Sequence, residues 1–485
     1  MDQPYSRIAD ALLDYQYWSP RDPQQSIYDD TGWTFGELGN VQVERVTDTK
    51  ALSPAMERVS GEVRSPGGVS GTGSIFIVNS NADTNLVTLR YHLKQAAFEA
   101  AEETFDVSGR KFNRGSFIIR NASLDQVNKA TSELGIPALA VAVAPTVKTH
   151  PMKAARVAIM HTWLSTQDEG WWRLAFDQMG VPFDYISTQD VAKDSDLNKK
   201  YDVIIFGPGN GNVNGVIQGR PMYGNPIPWK KTELTPNLGG FASTDDMRPG
   251  LGYTGLMNLQ NFVKNGGVFI GADDSASFAV ATGFTPGVSI QTSTRLRAIG
   301  DVLKTRMVDS ASPIGYGFGD TLSVYCFNGP IFNISNVVGG GGGGRRGGSA
   351  QRTTGRGTAD DPDVVQGRPP TEMPEQPPST EVWEAAPIME EQRRNLVGLI
   401  PPNLRPRVIL RWGNANELLV SGLLDGGDEI AQHAAVIDSP LERGHVILFS
   451  MNPFWRGQTA GSYALVFNTI LNFDNLNAGR KLDEK

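Results

Sequence analysis

Nearly unbroken apolar runs recur through the last two thirds of this chain, at 155–160, 201–206, 266–271 and 445–450. A strand without a polar face has to be covered on both sides, which points to a parallel sheet between two helix layers. The segments between the runs supply those helices. Trp172, Ala175, Phe176 and Met179 make one stripe of a helix predicted over 168–180, and 256–263 and 462–471 are helical as well. Residues 183–186 add a strand, and later β segments are predicted at 322–326, 406–411 and 417–421. The layout is a doubly wound α/β domain with appended β structure.

Strand and helix patterns also alternate over 61–150. Ile75-Phe76-Ile77-Val78 reads as a strand, followed by a helix predicted over 83–105 with Asp83 or Thr84 as its cap. Residues 115–120 form the next strand. Ser123 and Gln126 then have capping-box spacing at the head of a helix running to Gly135, and 138–143 closes the unit. Strands separated by helices predict a small, mostly parallel sheet.

The first 60 residues read differently. Ile8, Leu12 and Leu13 mark a short helix, after which Tyr15, Tyr17, Trp18, Pro20 and Pro23 give an aromatic, turn-rich stretch. Tyr28-Asp29-Asp30-Thr31-Gly32-Trp33-Thr34 reads as a packed loop whose aromatics need a cover, expected to lie upstream of this chain. Near the other end, 339–381 opens with six glycines, Gly339 to Gly344, and continues in arginine, proline, threonine and aspartate. Such composition buries too little apolar surface to offset ordering, so a flexible surface insertion is expected. A basic recognition loop is the alternative, opposed by Asp360, Asp361 and Asp363 close behind Arg345 and Arg346.

At 485 residues the chain exceeds the size at which one core stops growing, so several domains are expected. Its net charge of -8 disfavours nonspecific attraction to nucleic acid or anionic lipid, and neither is an expected partner. Cys326 is the single cysteine, which excludes an internal disulfide and a cysteine-built zinc site. No run approaches the roughly 18–20 apolar residues of a membrane span. The start, Met1-Asp2-Gln3-Pro4-Tyr5, lacks a basic-then-apolar signal pattern.

In an open α/β sheet ligands gather at the carboxyl ends of the strands, so Gly207-Pro208-Gly209-Asn210-Gly211 and Asp273-Asp274-Ser275 are the candidate crevice. The glycine run matches neither the dinucleotide fingerprint nor the phosphate loop, and a structural turn is its simpler reading. The strand over 268–271 followed at once by a helix is the setting of a nucleophile elbow. There Asp273 and Asp274 could serve as base or metal ligand and Ser275 as nucleophile. The bland reading makes either aspartate a helix cap. His161, directly after a strand, is the one histidine near the crevice, and a hydrogen-bonded structural role competes with a ligand contact. None of the five histidines begins a His-x-x-Glu or His-Glu-x-x-His pattern. Arg456 and Gln458, with Trp455, either point into the crevice or lock the last helix to the sheet. The second is favoured because Arg456 needs carboxylate or carbonyl partners.

The start of the chain, Tyr28 to Thr34 and the stretch Phe449 to Thr459 together resemble the carboxyl-terminal region of large bacterial zinc carboxypeptidase-like proteins. In that family a metallopeptidase domain precedes an aromatic connector and a class I glutamine-amidotransferase-like domain. The resemblance implies a flavodoxin-like, doubly wound sheet preceded by a small α/β domain. It divides the chain into 1–60, a connector and remnant of the upstream carboxypeptidase-like domain, 61–150, and an amidotransferase-like domain over 151–338 and 382–485 interrupted by 339–381. It also implies that zinc and its ligands belong to the upstream domain, with no cofactor in this chain, and it implies an extracytoplasmic or secreted protein. The amidotransferase cysteine is absent: the elbow carries Asp273 and Asp274, and Cys326 lies in another strand.

The expected function is therefore that of a noncatalytic accessory region, partnered by the upstream domain and, through it, by peptide substrate. An independent hydrolase or small-ligand-binding domain working from the crevice is the alternative. A purely structural module docking through the aromatic stretch from Tyr15 to Trp33 is a third.

Overall fold

The computed structural model describes residues 5–482 except 20, 22–26, 28, 58, 59, 62, 64, 210, 211, 339–380 and 386–397. Tyr28, Asn210, Gly211 and almost all of the expected 339–381 insertion thus lie outside the described residues.

The first sheet is built from β1 (Gly68–Gly71), β2 (Ile75–Val78), β3 (Ala97–Ala101), β4 (Phe117–Arg120), β5 (Pro137–Val141) and β6 (Thr149–Met152). Their order is β1-β5-β2-β4-β3-β6. Every pairing except β1 with β5 is antiparallel, so the expected mostly parallel sheet is corrected. Two helices, α2 (Asn85–His92) and α3 (Leu124–Leu134), make the crossovers, and each joins strands that are parallel but not adjacent. The intervening strand comes from the other half of the unit, a split β-α-β arrangement. Alternation in sequence cannot tell adjacent from interleaved strands.

The helix expected over 83–105 ends at His92, and 97–101 is a strand. Alanine and glutamate favour helix locally, but pairing with β4 and β6 on both sides overrides that preference. Asp83 does cap this helix, its carboxylate accepting the Asn85 N–H at 2.9 Å. Ser123 and Gln126 form the full capping box at α3.

Among the described residues the second sheet has twelve strands. Its parallel part comprises β7 (Val157–His161), β8 (Phe183–Ser187), β9 (Val203–Phe206), β10 (Val268–Ala272) and, near the end of the chain, β15 (Gly444–Phe449). They lie in the order β8-β7-β9-β10-β15, all parallel. Numbered along the domain this is 2-1-3-4-5, the flavodoxin-like order. The sheet continues antiparallel through β14 (Ala434–Leu441), β13 (Arg407–Trp412), β11 (Asp301–Met307) and β12 (Thr321–Cys326). Helices α4 (Gln167–Gln178), α6 (Gly252–Lys264), α7 (Asp274–Ala281) and α8 (Ala460–Leu471) cover it, with a short α5 (Val213–Gln218) beyond β9. All five residues of β7, all four of β9 and all five of β10 are buried, as two-sided coverage requires.

The N-terminal segment is part of this domain, which corrects the expectation of a missing cover. Asp30, Thr31, Gly32 and Thr34 are buried against residues of this chain. The Thr31 hydroxyl donates to Asp301 at 2.6 Å, its N–H donates to Gly300 at 3.0 Å, and Gly422 N–H donates to Gln16 at 2.7 Å. The first helix, α1 (Ser6–Leu13), buries no residue, and the described residues from Asn40 to Glu57 are exposed as well.

Candidate functional site

The crevice opens where β7 and β9 diverge, the switch point at which such sheets bind ligands. The turn after β10 is an elbow. Asp273 sits there at φ 55° and ψ -120°, a conformation that an L side chain adopts only when the surroundings impose it. Two features impose it. The Ser275 hydroxyl accepts the Ala272 N–H at 2.9 Å and lies 2.6 Å from the Phe206 carbonyl and 2.7 Å from the Ala272 carbonyl. A side chain on Gly271 would come within 2.9 Å of the Ser275 carbonyl, so only glycine lets α7 start this close to the strand.

Ser275 is thus a buried brace with its proton committed to a backbone carbonyl. Asp273 is the N-cap residue by position but makes no side-chain cap bond. Burial, then the charges of Asp274 and Asp168, raise the pKa of its carboxyl to about 7. Asp274 turns to the neighbouring loop and accepts the Gly209 N–H at 2.9 Å. Gly209, at φ 86°, is in turn pressed against Asp168, whose carboxyl would lie 2.9 Å from any added side chain. Two carboxyls, those of Asp274 and Asp168, therefore meet at Gly209. Among the described residues no group of three or more His, Cys, Asp or Glu side chains has the arrangement to hold a metal ion.

His161 ends β7 and is buried. Its ring stacks on Tyr185 with centroids 4.0 Å apart, and its Nδ1 is 3.0 Å from the Thr162 carbonyl. Burial lowers its pKa to about 4, so the ring is neutral at pH 7. With Nδ1 on a carbonyl and the Ser275 hydroxyl on backbone, the two residues form no nucleophile-base pair.

Arg456 and Gln458 follow β15. The Arg456 guanidinium reaches Asp29 at 2.6 Å and Asp30 at 3.3 Å, while Trp455 Nε1 donates to Asp30 at 2.9 Å. The arginine clamps the N-terminal segment to the sheet edge; burial raises the Asp168 pKa, and the Arg456 charge only partly opposes that rise. Gln458 is half-buried, and its N–H closes a turn onto the Trp455 carbonyl. Gly207, at the end of β9, rests on Glu169.

Sequence reasoning missed Asp168 and Glu169. Glu169 is fully buried and accepts the Tyr185 hydroxyl at 2.5 Å. Burial raises its pKa to about 7 against the opposing effects of Tyr185 and Arg173. Two consecutive acids opening the helix after the first strand of a doubly wound sheet were the available signal.

The 2-1-3-4-5 strand order and the elbow after the fourth strand define a flavodoxin-type, amidotransferase-like α/β fold. No family model matches the chain, and no curated protein matches it. Among solved structures it is similar to a cytoplasmic protein from Salmonella typhimurium, at 12% identity over 65% of this chain and 97% of that one, with a TM-score of 0.31. A putative ThuA-like protein from Bacteroides uniformis matches at 11% identity over 68% and 97%, with a TM-score of 0.31. A glutamine amidotransferase from Thermotoga maritima matches at 14% identity over 37% and 63%, with a TM-score of 0.24.

Proposed function

We propose that the doubly wound domain is a noncatalytic, amidotransferase-like accessory region. In the family it resembles, such a region would pack on, stabilise or present peptide to a zinc metallocarboxypeptidase domain. The observation that carries the noncatalytic reading is the elbow, where Asp273 presents a carboxyl in place of the thiolate that glutamine hydrolysis through a thioester requires. Cys326 is no substitute: it lies in β12, fully buried, and burial pushes its thiol far above the ordinary range. Support for an accessory role comes from the exposed side chains of Ile8, Leu13, Tyr15 and Tyr17 beside an apolar groove that includes Leu12 and Trp33. On this reading zinc belongs to the partner domain, and an extracytoplasmic setting follows from the same resemblance.

Two assays test the reading. Purified chain incubated with glutamine is expected to release no ammonia above background, and turnover would overturn the noncatalytic half. Joining a carboxypeptidase domain of the resembled family ahead of Met1, with and without residues 61–485, tests the accessory half. Equal peptide hydrolysis and equal thermal stability of the two fusions would count against it.

A second reading, a small-ligand-binding or hydrolytic crevice, draws on Asp273 and Glu169, two carboxyls poised near pH 7 at the switch point. A hydrolase would need a nucleophile other than Ser275. Ligand binding needs only the crevice, and protection of 162–165 and 212–220 from hydrogen exchange by a small molecule would reveal it.

A further inference from the structure

Asp301 opens β11 and is fully buried beneath the N-terminal segment. Its Oδ1 lies 2.6 Å from the Thr31 hydroxyl and accepts the Leu423 N–H at 3.0 Å, while Oδ2 is buried with no partner. Thr31 has one proton for two acceptors, because the Ile299 carbonyl is 2.7 Å from the same hydroxyl. An ionised Asp301 therefore leaves one of these contacts without a proton and a bare anionic oxygen in the core. A protonated Asp301 donates to Thr31, which then serves the Ile299 carbonyl.

Among the described residues its ionisable surroundings supply no free cation. Asp30, on the covering segment, accepts the Tyr325 hydroxyl at 2.8 Å and Trp455 Nε1 at 2.9 Å. Cys326 is the register partner of Asp301 across the β11–β12 pair, and the stretch from Ser421 to Leu423 contributes no ionisable group. Arg456, beyond Asp30, is spent on Asp29 and Asp30. Burial raises the Asp301 pKa to about 8 against the hydrogen bonds of Thr31, Leu423 and Ile299, and Asp30 adds to the rise.

We propose that Asp301 is the pin of a pH-sensitive latch, which as a neutral acid holds the segment from Asp29 to Leu38 against the sheet and loosens it on ionising. Docked, the carboxyl keeps its proton more tightly than it does exposed at the ordinary 3.8. The latch is therefore tightest below about pH 3.8, weakens as pH rises towards about 8 and changes no further above it. Release would uncover Val302, Tyr325 and Val420, which cluster with Leu38, and would free Arg456 from its two aspartates. The latch goes beyond the accessory reading and does not depend on it.

Hydrogen exchange of the full chain across pH 5 to 9, corrected for the chemical exchange rate, tests it. The Thr31 and Gly32 amides, which donate to Gly300, report the latch, and Ile159 in β7 reports global unfolding. Protection of Thr31 and Gly32 relative to Ile159 is expected to fall by about tenfold or more from pH 5 to 8 and then to level off. Asp301→Asn, which keeps an acceptor and has no proton to lose, is expected to abolish the fall, whereas Asp30→Asn is expected to leave it in place. Flat protection in the wild-type chain, an undiminished fall in Asp301→Asn, or its loss in Asp30→Asn alone would each overturn the proposal. Should Asp301→Asn not fold, the wild-type and Asp30→Asn curves decide by the same criteria.

Discussion

Replacing Asp273 by asparagine isolates the electrostatic state of the elbow, because shape and backbone demands change little while the ionisable proton is removed. Burial beside Asp274 and Asp168 moves this carboxyl from 3.8 to about 7. At about 1.4 kcal/mol for each tenfold change in proton affinity, that difference corresponds to roughly 4 kcal/mol between the two protonation states. Asp273 keeps some contact with solvent, which screens its neighbours, so about 2 kcal/mol is the working figure. The folded state holds the proton more tightly than the unfolded state. The protonated form's advantage is therefore complete below about pH 3.8 and is lost as pH rises through about 7. Asparagine has no such loss. Asp273→Asn is expected to match wild type near pH 4 and to unfold several degrees higher at pH 8, with the difference growing between those values. Thermal unfolding followed by circular dichroism across that range checks it. A stabilisation of equal size at both ends, or none at pH 8, would refute the claim that a desolvated carboxyl occupies the elbow.

Other substitutions probe its surroundings. Asp274→Ala removes the acceptor of the Gly209 N–H, so exchange at Gly209 should accelerate about tenfold, consistent with loss of a bond worth roughly 1–3 kcal/mol. Arg456→Met leaves Asp30 buried without its cation and should destabilise the chain by about 1–3 kcal/mol, with limited proteolysis newly cutting the first 38 residues; unchanged denaturant midpoint and cleavage pattern would argue against a clamp. Cys326 should stay unreactive toward a disulfide reagent at pH 8 until denaturant is added, and fast labelling of native protein would contradict its burial.

How much of this was visible beforehand depends on the range over which each feature is decided. The capping box at Ser123 and Gln126 is a contact between residues three apart, and it formed as spacing indicated. The nearly unbroken apolar runs at 155–160, 201–206 and 266–271 pointed to burial on both faces, and the inner parallel strands formed at 157–161, 203–206 and 268–272. The strand at 97–101 was hidden because its alanines and glutamate carry helical preference until strands on either side claim their backbone groups. The elbow was legible as a position, strand followed at once by helix. That Asp273 rather than Asp274 occupies the strained residue, and that Ser275 is spent on bracing it, required the approach of β9 carrying the Phe206 carbonyl.

Sequence alone determined the periodicities, and with them the doubly wound α/β class, the absence of a thiol at the elbow and the short-range caps. Tertiary structure decided pairing direction in the first sheet, the cover over residues 29–34 and the partners of every buried charge. Local patterns record which faces of a segment avoid water. The charge that meets Arg456 lies 427 residues away in the chain, and only the folded path brings Asp29 to it.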